Sequence, residues 1–144
     1  MTEINIRKAD FSDIEQVLKI EQESISSWTF SQFLHELNNE FSNFLVCEYD
    51  NSIAGYIIAW KITDEIQLNS IAVKRSLRKQ GVGGKLLSAL YKDNSGGQFK
   101  SVFLEVRSRN SDAISFYINN GFTKTGVRKK YYNDDDAVLM EKKL

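Results

Sequence analysis

Apolar positions along the chain change period several times, and each change marks an element. Between Glu3 and Lys8 apolar and polar residues alternate, with Ile4 and Ile6 on one side, as in a strand. Ser12-Asp13-Ile14-Glu15 reads as a capping box, and Val17, Leu18 and Glu21 follow at helical spacing. Phe30, Phe33, Leu34 and Leu37 predict a second, short helix that ends near Asn38-Asn39. The period then drops to two. Asn43 to Tyr49 and Ile53 to Ile62, joined at Asp50-Asn51-Ser52, read as an antiparallel hairpin, and Gln67 to Val73 as the next strand. A basic, turn-rich stretch, Lys74 to Gly84, leads into a third helix carrying Val82, Leu86, Leu87 and Leu90, which Asn94-Ser95-Gly96-Gly97 stops. Ser101 to Arg107 is a strand, Ser111 to Asn120 a fourth helix with Gly121 at its C′ position, and Thr123 to Lys129 and Ala137 to Lys142 are the last strands. Seven strands and four helices without an internal repeat predict an α/β or α+β fold.

Composition narrows this picture. A chain of 144 residues, 42% of them hydrophobic and including nine Phe, six Tyr and two Trp, has the apolar surface for a core and suits a single domain spanning 1–144. Cys47 is the only cysteine, which excludes an internal disulfide and a multi-thiolate zinc site; within Phe44-Leu45-Val46-Cys47 it reads as a small buried hydrophobe. His35 has no second histidine to share a metal with, so no metal is expected. No run approaches the roughly 18 apolar residues of a membrane span. Met1-Thr2-Glu3-Ile4-Asn5 lacks the charged and apolar regions of a secretory signal. The expectation is a soluble, cytoplasmic protein with no membrane partner.

Charge adds a direction. Nineteen Lys and Arg balance nineteen Asp and Glu, which argues against a protein that coats nucleic acid or an anionic membrane. The balance conceals a split, because residues 1–50 carry ten acids against three bases and the remainder therefore holds an excess of seven positive charges. From Lys74 to Lys92 there are six basic side chains and no acid, the pattern of an anion-binding patch. Inside it, Gly81-Val82-Gly83-Gly84 stands between a strand and a helix, where bare amides and the helix dipole attract phosphate. A Walker A loop would place Ser or Thr after Lys85, and a dinucleotide fingerprint would place glycine at Leu86; neither is present.

The form that does fit is Arg78-Lys79-Gln80-Gly81-Val82-Gly83, which resembles the Arg/Gln-x-x-Gly-x-Gly/Ala signature of the GCN5-related N-acetyltransferases (GNAT). Asn110-x-x-Ala113-x-x-x-Tyr117-x-x-x-Gly121-Phe122 is similar to the second motif of that family, and the resemblance also takes in Asn69 to Val73. Leu104-Glu105-Val106-Arg107, Gly126 to Tyr132 and Asp136 to Met140 resemble the RimI type, the bacterial ribosomal-protein alanine N-acetyltransferases. Two positions depart from that type. Ser27 stands before Trp28 where a proline is common, and Asn133-Asp134-Asp135-Asp136 is a short acidic run.

The resemblance implies a mixed, mostly antiparallel sheet of about seven strands flanked by four helices, with central strands that splay to hold acetyl-CoA. It implies binding of that cosubstrate by Ile71, Ala72 and Val73, by the run Arg78, Lys79, Gln80, Gly81, Val82, Gly83, Gly84 and Lys85, and by Asn110 and Tyr117. The acceptor implied is a protein N-terminus, an N-terminal alanine of a small-subunit ribosomal protein, met by Trp28, Tyr131 and Tyr132. No direct nucleic-acid role is implied, since the basic stretch lacks interleaved aromatics, and the expected state is a monomer or weak homodimer. A small amine acceptor, such as a polyamine or aminoglycoside, and a non-catalytic acyl-CoA-binding domain are the alternatives.

The residues themselves bear on the chemistry. An α-amine titrates near 8, so about a tenth is neutral at pH 7 and a modest base is enough. Glu105 lies in an apolar strand on the face opposite Leu104 and Val106, where it either bridges Arg107 or acts as a base; the resemblance assigns it as the general base. Tyr117 is either a core aromatic or the acid that protonates the departing thiolate, the role the resemblance gives it. Asn110 is either the N-cap of the fourth helix or a cofactor contact, and Tyr131 and Tyr132 are exposed strand aromatics or the lining of a peptide channel.

Overall fold

Seven strands and four helices form among the described residues close to where the apolar period changes. The computed structural model describes residues 4–24, 28–92, 97–132 and 134–144. Glu3, Ser27, the helix stop Asn94-Ser95-Gly96, and Asn133 in the acidic run lie outside them. In chain order the elements are β1 (Ile4–Lys8), α1 (Ile14–Glu21), α2 (Phe30–Leu37), β2 (Ser42–Tyr49), β3 (Ser52–Ile62), β4 (Glu65–Val73), α3 (Val82–Tyr91), β5 (Ser101–Arg107), α4 (Ser111–Asn119), β6 (Thr123–Arg128) and β7 (Ala137–Lys143). Among the described residues no helix is long and apolar enough to cross a membrane. The strands form a mixed sheet, in which β4 pairs with β5 in parallel while β1–β2, β2–β3, β5–β7 and β6–β7 are antiparallel.

The chain divides into two compact units, Met1–Trp60 with Ser70–Asp93, and Lys61–Asn69 with Asn94–Leu144. In the first, β1, β2 and β3 pair in sequence order. Asp50 and Asn51 turn the β2–β3 hairpin with φ of 52° and 62°, the left-handed pair that suits the strand twist and that Asp and Asn tolerate best after glycine. Ile14, Val17 and Ile20 of α1 and Phe33 of α2 bury against Phe44, Val46, Ile53, Tyr56 and Ile58, and each such side chain contributes about 1.5–3 kcal/mol of transfer free energy. Leu86, Leu87 and Leu90 are the buried stripe of α3. Gly55 is needed where it stands, because a Cβ there would lie 2.9 Å from the Ala72 carbonyl oxygen and 3.3 Å from Leu86.

The start of α1 differs from the sequence reading. The reciprocal cap is Asp10 with Asp13, around a single 3-10 turn at Phe11–Asp13: Asp10 accepts from the Ser12 amide at 2.9 Å, and Asp13 accepts from the Asp10 amide at 2.8 Å. Asp13 can take this position because Arg7 of β1 grips both its oxygens, at 2.7 and 2.8 Å, and also bonds Glu48 of β2. The Arg7 guanidinium holds the Asp13 carboxyl below the usual range against the opposing effect of burial. A second capping box, Thr29 with Gln32, starts α2.

In the second unit, β5 alternates strictly: Val102, Leu104 and Val106 are buried, and Ser101, Phe103, Glu105 and Arg107 are half-buried on the other face. β7 runs antiparallel to it from Ser101↔Lys143 to Arg107↔Ala137, and β6 pairs with the far side of β7 through a bulge at Lys124/Gly126. Gly121, with φ of 94°, ends α4 in the left-handed conformation that glycine adopts at low cost. The parallel register of β4 with β5 covers Glu65–Leu68 opposite Ser101–Leu104 and stops there, although β4 continues to Val73. Burial along β4 changes at the same point, from strict alternation to an unbroken half-buried run over 69–73.

Candidate active site

β4 ends at Val73, and the Lys74 amide is tied to the Ala54 carbonyl at 2.8 Å, which fixes where the following turn begins. A 3-10 turn at Arg75–Leu77 is followed by two left-handed residues, Lys79 with φ of 63° and Gly81 with φ of 84°. Gly81 is the N-cap of α3 and carries no side chain to cap it. The Lys85 amide makes the first bond of the helical ladder, to the Gly81 carbonyl at 3.0 Å. The amides of Val82, Gly83 and Gly84 therefore precede the ladder, at the positive end of the dipole. Arg78 leans back onto β4 through a 3.1 Å bond to the Val73 carbonyl, while Lys79 and Lys85 are exposed. Such a turn can bind a polyphosphate. Trp28, in the same unit, is half-buried and stacks on Phe33 with 5.2 Å between ring centroids.

The second unit holds the titratable groups. Glu105 points from the half-buried face of β5, its side chain 22% exposed, and its Oε1 lies 3.2 Å from a guanidinium nitrogen of Arg128 on β6. Arg107, which the sequence offered as its partner, is engaged elsewhere: it pairs with Asp134 at 2.9 Å and lies 4.3 Å over the Tyr132 ring. Arg128 also lies 4.9 Å from the centroid of Tyr131, and Tyr131 meets Tyr132 edge to face at 5.0 Å. Burial, and next the nearby Glu105 carboxylate, push the Tyr132 phenol above its ordinary value. Tyr131 and Tyr132 sit in the turn beyond β6 rather than on a strand.

Tyr117 is 8% exposed and packs between Phe116 and Phe122, at 5.5 and 5.6 Å. Asn110 is the N-cap of α4, its side-chain oxygen accepting the Ala113 amide at 3.2 Å. The acidic residues of the loop are tied down: Asp135 accepts from Ser108 and from the Arg109 amide and guanidinium, and Asp134 bonds Arg107 and Arg109. Cys47 is fully buried, and burial pushes its thiol up, as a structural hydrophobe requires. No group of three or more His, Cys, Asp and Glu among the described residues is arranged to hold a metal ion.

Each unit thus gathers its own share of the candidate residues. The first brings Ile71, Ala72 and Val73 next to the glycine turn; the second brings Glu105, Tyr131 and Tyr132 around Arg128. Arg128 is the participant that period and spacing did not single out, because it lies 23 positions beyond Glu105 and reaches it across β7. The available signal was its place in the run Gly126 to Tyr132.

A mixed sheet in which the parallel register of β4 with β5 stops at Leu68, followed by a glycine turn that opens a helix, defines an α/β fold with a candidate anion-binding turn. The family model described as the acetyltransferase (GNAT) family matches residues 8–122, and the chain belongs to that family, whose members take an acetyl group from acetyl-CoA and pass it to an amine. A Bacillus subtilis (strain 168) protein provisionally named ribosomal protein bS18-alanine N-acetyltransferase is 35% identical over 143 residues, covering 96% of this chain and 95% of the relative. An N-alpha-acetyltransferase of Sulfurisphaera tokodaii (strain DSM 16993 / JCM 10545 / NBRC 100140 / 7) is 34% identical over 153 residues, covering 96% and 92%. Among solved structures, the ribosomal-protein-S18-alanine N-acetyltransferase of Escherichia coli superposes with a TM-score of 0.86 at 27% identity, covering 98% of this chain and 94% of that one.

Proposed function

We propose that this chain acetylates the α-amine of a protein N-terminus, with the N-terminal alanine of a small-subunit ribosomal protein as acceptor, and that residues 1–144 work as one cytoplasmic N-acetyltransferase domain. The observation that carries the reading is the setting of Glu105. A carboxylate placed in an apolar strand is costly unless paired or used; here one oxygen is anchored by Arg128 and the group is flanked by Tyr132, which leaves the second oxygen for a proton. The similarity to bS18-alanine and N-alpha-acetyltransferases along nearly the whole chain supports the acceptor.

The glycine turn fits the pyrophosphate of acetyl-CoA, offering the amides of Val82, Gly83 and Gly84 together with the charges of Lys79 and Lys85. Bound there, the cosubstrate supplies an acetyl group already activated as a thioester. The backbone of Ile71, Ala72 and Val73 lies along the part of β4 that β5 does not pair, and is positioned to bond the pantetheine arm as a strand would. The aromatics assigned to the acceptor are Trp28 in the first unit and Tyr131 and Tyr132 in the second. Glu105 takes a proton from the attacking nitrogen, and Tyr117 returns one to the departing thiolate. No covalent enzyme intermediate is needed.

The test is turnover. Purified protein with acetyl-CoA should acetylate a peptide that begins with Ala in preference to spermidine or an aminoglycoside at matched concentration, read by mass spectrometry. Glu105→Gln and Tyr117→Phe should each slow it about a hundredfold or more, the usual scale for a general base or acid. Preference for a small amine overturns the acceptor, and undiminished rates in both variants overturn the mechanism.

A further inference from the structure

Glu21 closes α1 and is 2% exposed, in the unit that carries the glycine turn, and no step above uses it. Its Oε2 accepts the phenolic proton of Tyr56 on β3, and its Oε1 is buried without a hydrogen-bond partner among the described residues. No Lys or Arg among those residues forms an ion pair with it. The charged groups near it in the chain are disposed elsewhere: Arg75 bonds Glu23, and Lys19, Glu23 and Lys74 line an open cleft of about 210 Å³ on α1. A carboxylate so buried, with one hydroxyl for company, costs several kcal/mol unless it has a partner to meet.

Donor counting shows what the carboxylate does to its neighbours. Tyr56 has one hydroxyl proton and gives it to Glu21. In the 2.8 Å contact between Tyr56 and Ser70, where either oxygen could donate, Ser70 must then be the donor. Ser70 in turn has one proton, so its remaining capacity is to accept. The buried carboxyl is thus linked through two hydroxyls to β4, where the chain ends in a hydrogen-bond acceptor immediately before Ile71.

We propose that Ser70, Tyr56 and Glu21 form a proton-accepting chain for the acceptor amine, with Ser70 touching the incoming α-ammonium and Tyr56 and Glu21 acting through it as positioning residues. The inference rests on the reading that β4 beyond Leu68 holds the cosubstrate, and it assigns the acceptor nitrogen a place beside Ser70. One N–H bond of the ammonium breaks with its electron pair staying on nitrogen. That proton moves to Ser70 Oγ as the Ser70 proton passes to Tyr56 Oη and the Tyr56 proton to Glu21 Oε2. Ammonium and carboxylate both end neutral, a change that a poorly solvated site favours. The second proton is shed as the amide forms and is not carried by this chain, and reversal of the shift to water after product release resets it.

The experiment measures kcat/KM for the Ala-initiated peptide from pH 6.5 to 9.5 in Tyr56→Phe, Ser70→Ala, Ser70→Thr and Glu21→Gln, with melting temperature and acetyl-CoA affinity as controls for folding. Tyr56→Phe and Ser70→Ala should lose about tenfold at pH 6.5 and less than twofold at pH 9.5, because an α-amine with a pKa of about 8 is already neutral there. Ser70→Thr, which keeps the hydroxyl, should restore most of the rate. If Glu21→Gln fails to fold, the two hydroxyl variants still decide. A deficit that is equal at both ends of the pH range, or absent, overturns the chain. Failure of the acceptor reading registers separately, as wild-type protein that does not acetylate the peptide; the pH ratio is then read on whichever amine is turned over.

Discussion

The turn from Lys74 to Lys85 and the segment from Arg107 to Asp136 are both rich in cations, but their charges meet different partners. In the turn, Arg75 and Arg78 donate to the carbonyls of Glu23 and Val73, and among the described residues Lys79 and Lys85 form no ion pair with a carboxylate. In the segment, Arg107 meets Asp134, Arg109 meets Asp134 and Asp135, Arg128 meets Glu105 and Lys129 meets Asp136. Cations left without carboxylates keep their field for a polyanionic ligand. Paired cations lose most of that reach and fix geometry instead. One loop is therefore built to attract, the other to hold Glu105 and two tyrosines in place.

The contrast breaks most visibly if charge is removed from each loop in turn. Lys79→Ala with Lys85→Ala should raise KM for acetyl-CoA about tenfold, since two partly screened contacts of up to about 1 kcal/mol each together approach the 1.4 kcal/mol that a factor of ten represents. The rise should shrink at high salt, and kcat should stay within about twofold. Arg109→Ala with Lys129→Ala removes the same formal charge and should leave that KM unchanged. Steady-state kinetics at two ionic strengths decides: equal effects from both pairs would show that the loops do not divide the work.

A smaller effect isolates the backbone of the attracting loop. A Cβ at Gly81 would meet nothing within 4 Å, so Gly81→Ala tests conformation alone, at φ of 84°. The left-handed penalty is about 1 kcal/mol, which lowers the melting temperature by roughly 2–4 °C in a chain of this size. Acetyl-CoA affinity should fall a few-fold as the amides of Val82 to Gly84 shift. A loss of affinity without a loss of stability would mean that the glycine is required for close approach of the ligand and not for its dihedral angles.

The attracting loop was the more legible of the two in the sequence, and the reason is physical. The features that suit it to a polyanion are local, namely glycines, a helix start and cations without acids, all within a dozen residues. Strand and helix identities were legible on the same ground, since Val102, Leu104 and Val106, or Leu86, Leu87 and Leu90, announce their period over one or two turns. Pairings between distant residues were not. Glu105 shares its face with Arg107 two positions away, and spacing alone favours that pair; the acidic loop draws Arg107 off, and Arg128 arrives across β7 through a bulge that no period predicts. The α1 cap moved from Ser12 to Asp10 for a similar cause, because Arg7, itself bonded to Glu48 41 positions away, secures Asp13. Glu21 was legible only as one more helical position; its burial beside Tyr56 and Ser70 depends on three elements meeting.

The smallest predicted effect on KM sharpens the holding loop, and its readout is a pH effect on stability whose sign follows from one carboxylate. The Ser108 hydroxyl first, then the Arg109 and Asp136 amides and the Arg109 guanidinium, lower the Asp135 carboxyl to about 2, against about 3.9 for an ordinary aspartate. The folded loop therefore binds its proton less readily than the unfolded chain. Its stabilisation is complete above about pH 4 and is lost as pH falls through about 2. Asp135→Asn should lower the melting temperature at pH 7, leave KM for acetyl-CoA unchanged, and converge with the wild type as the pH approaches 2. Carbon-detected NMR of the Asp135 carboxyl should give a midpoint near 2. A midpoint near 4 would mean that Ser108 and Arg109 do not hold the loop in solution, and the difference between a loop that attracts and a loop that holds would then rest on Arg107 and Arg128 alone.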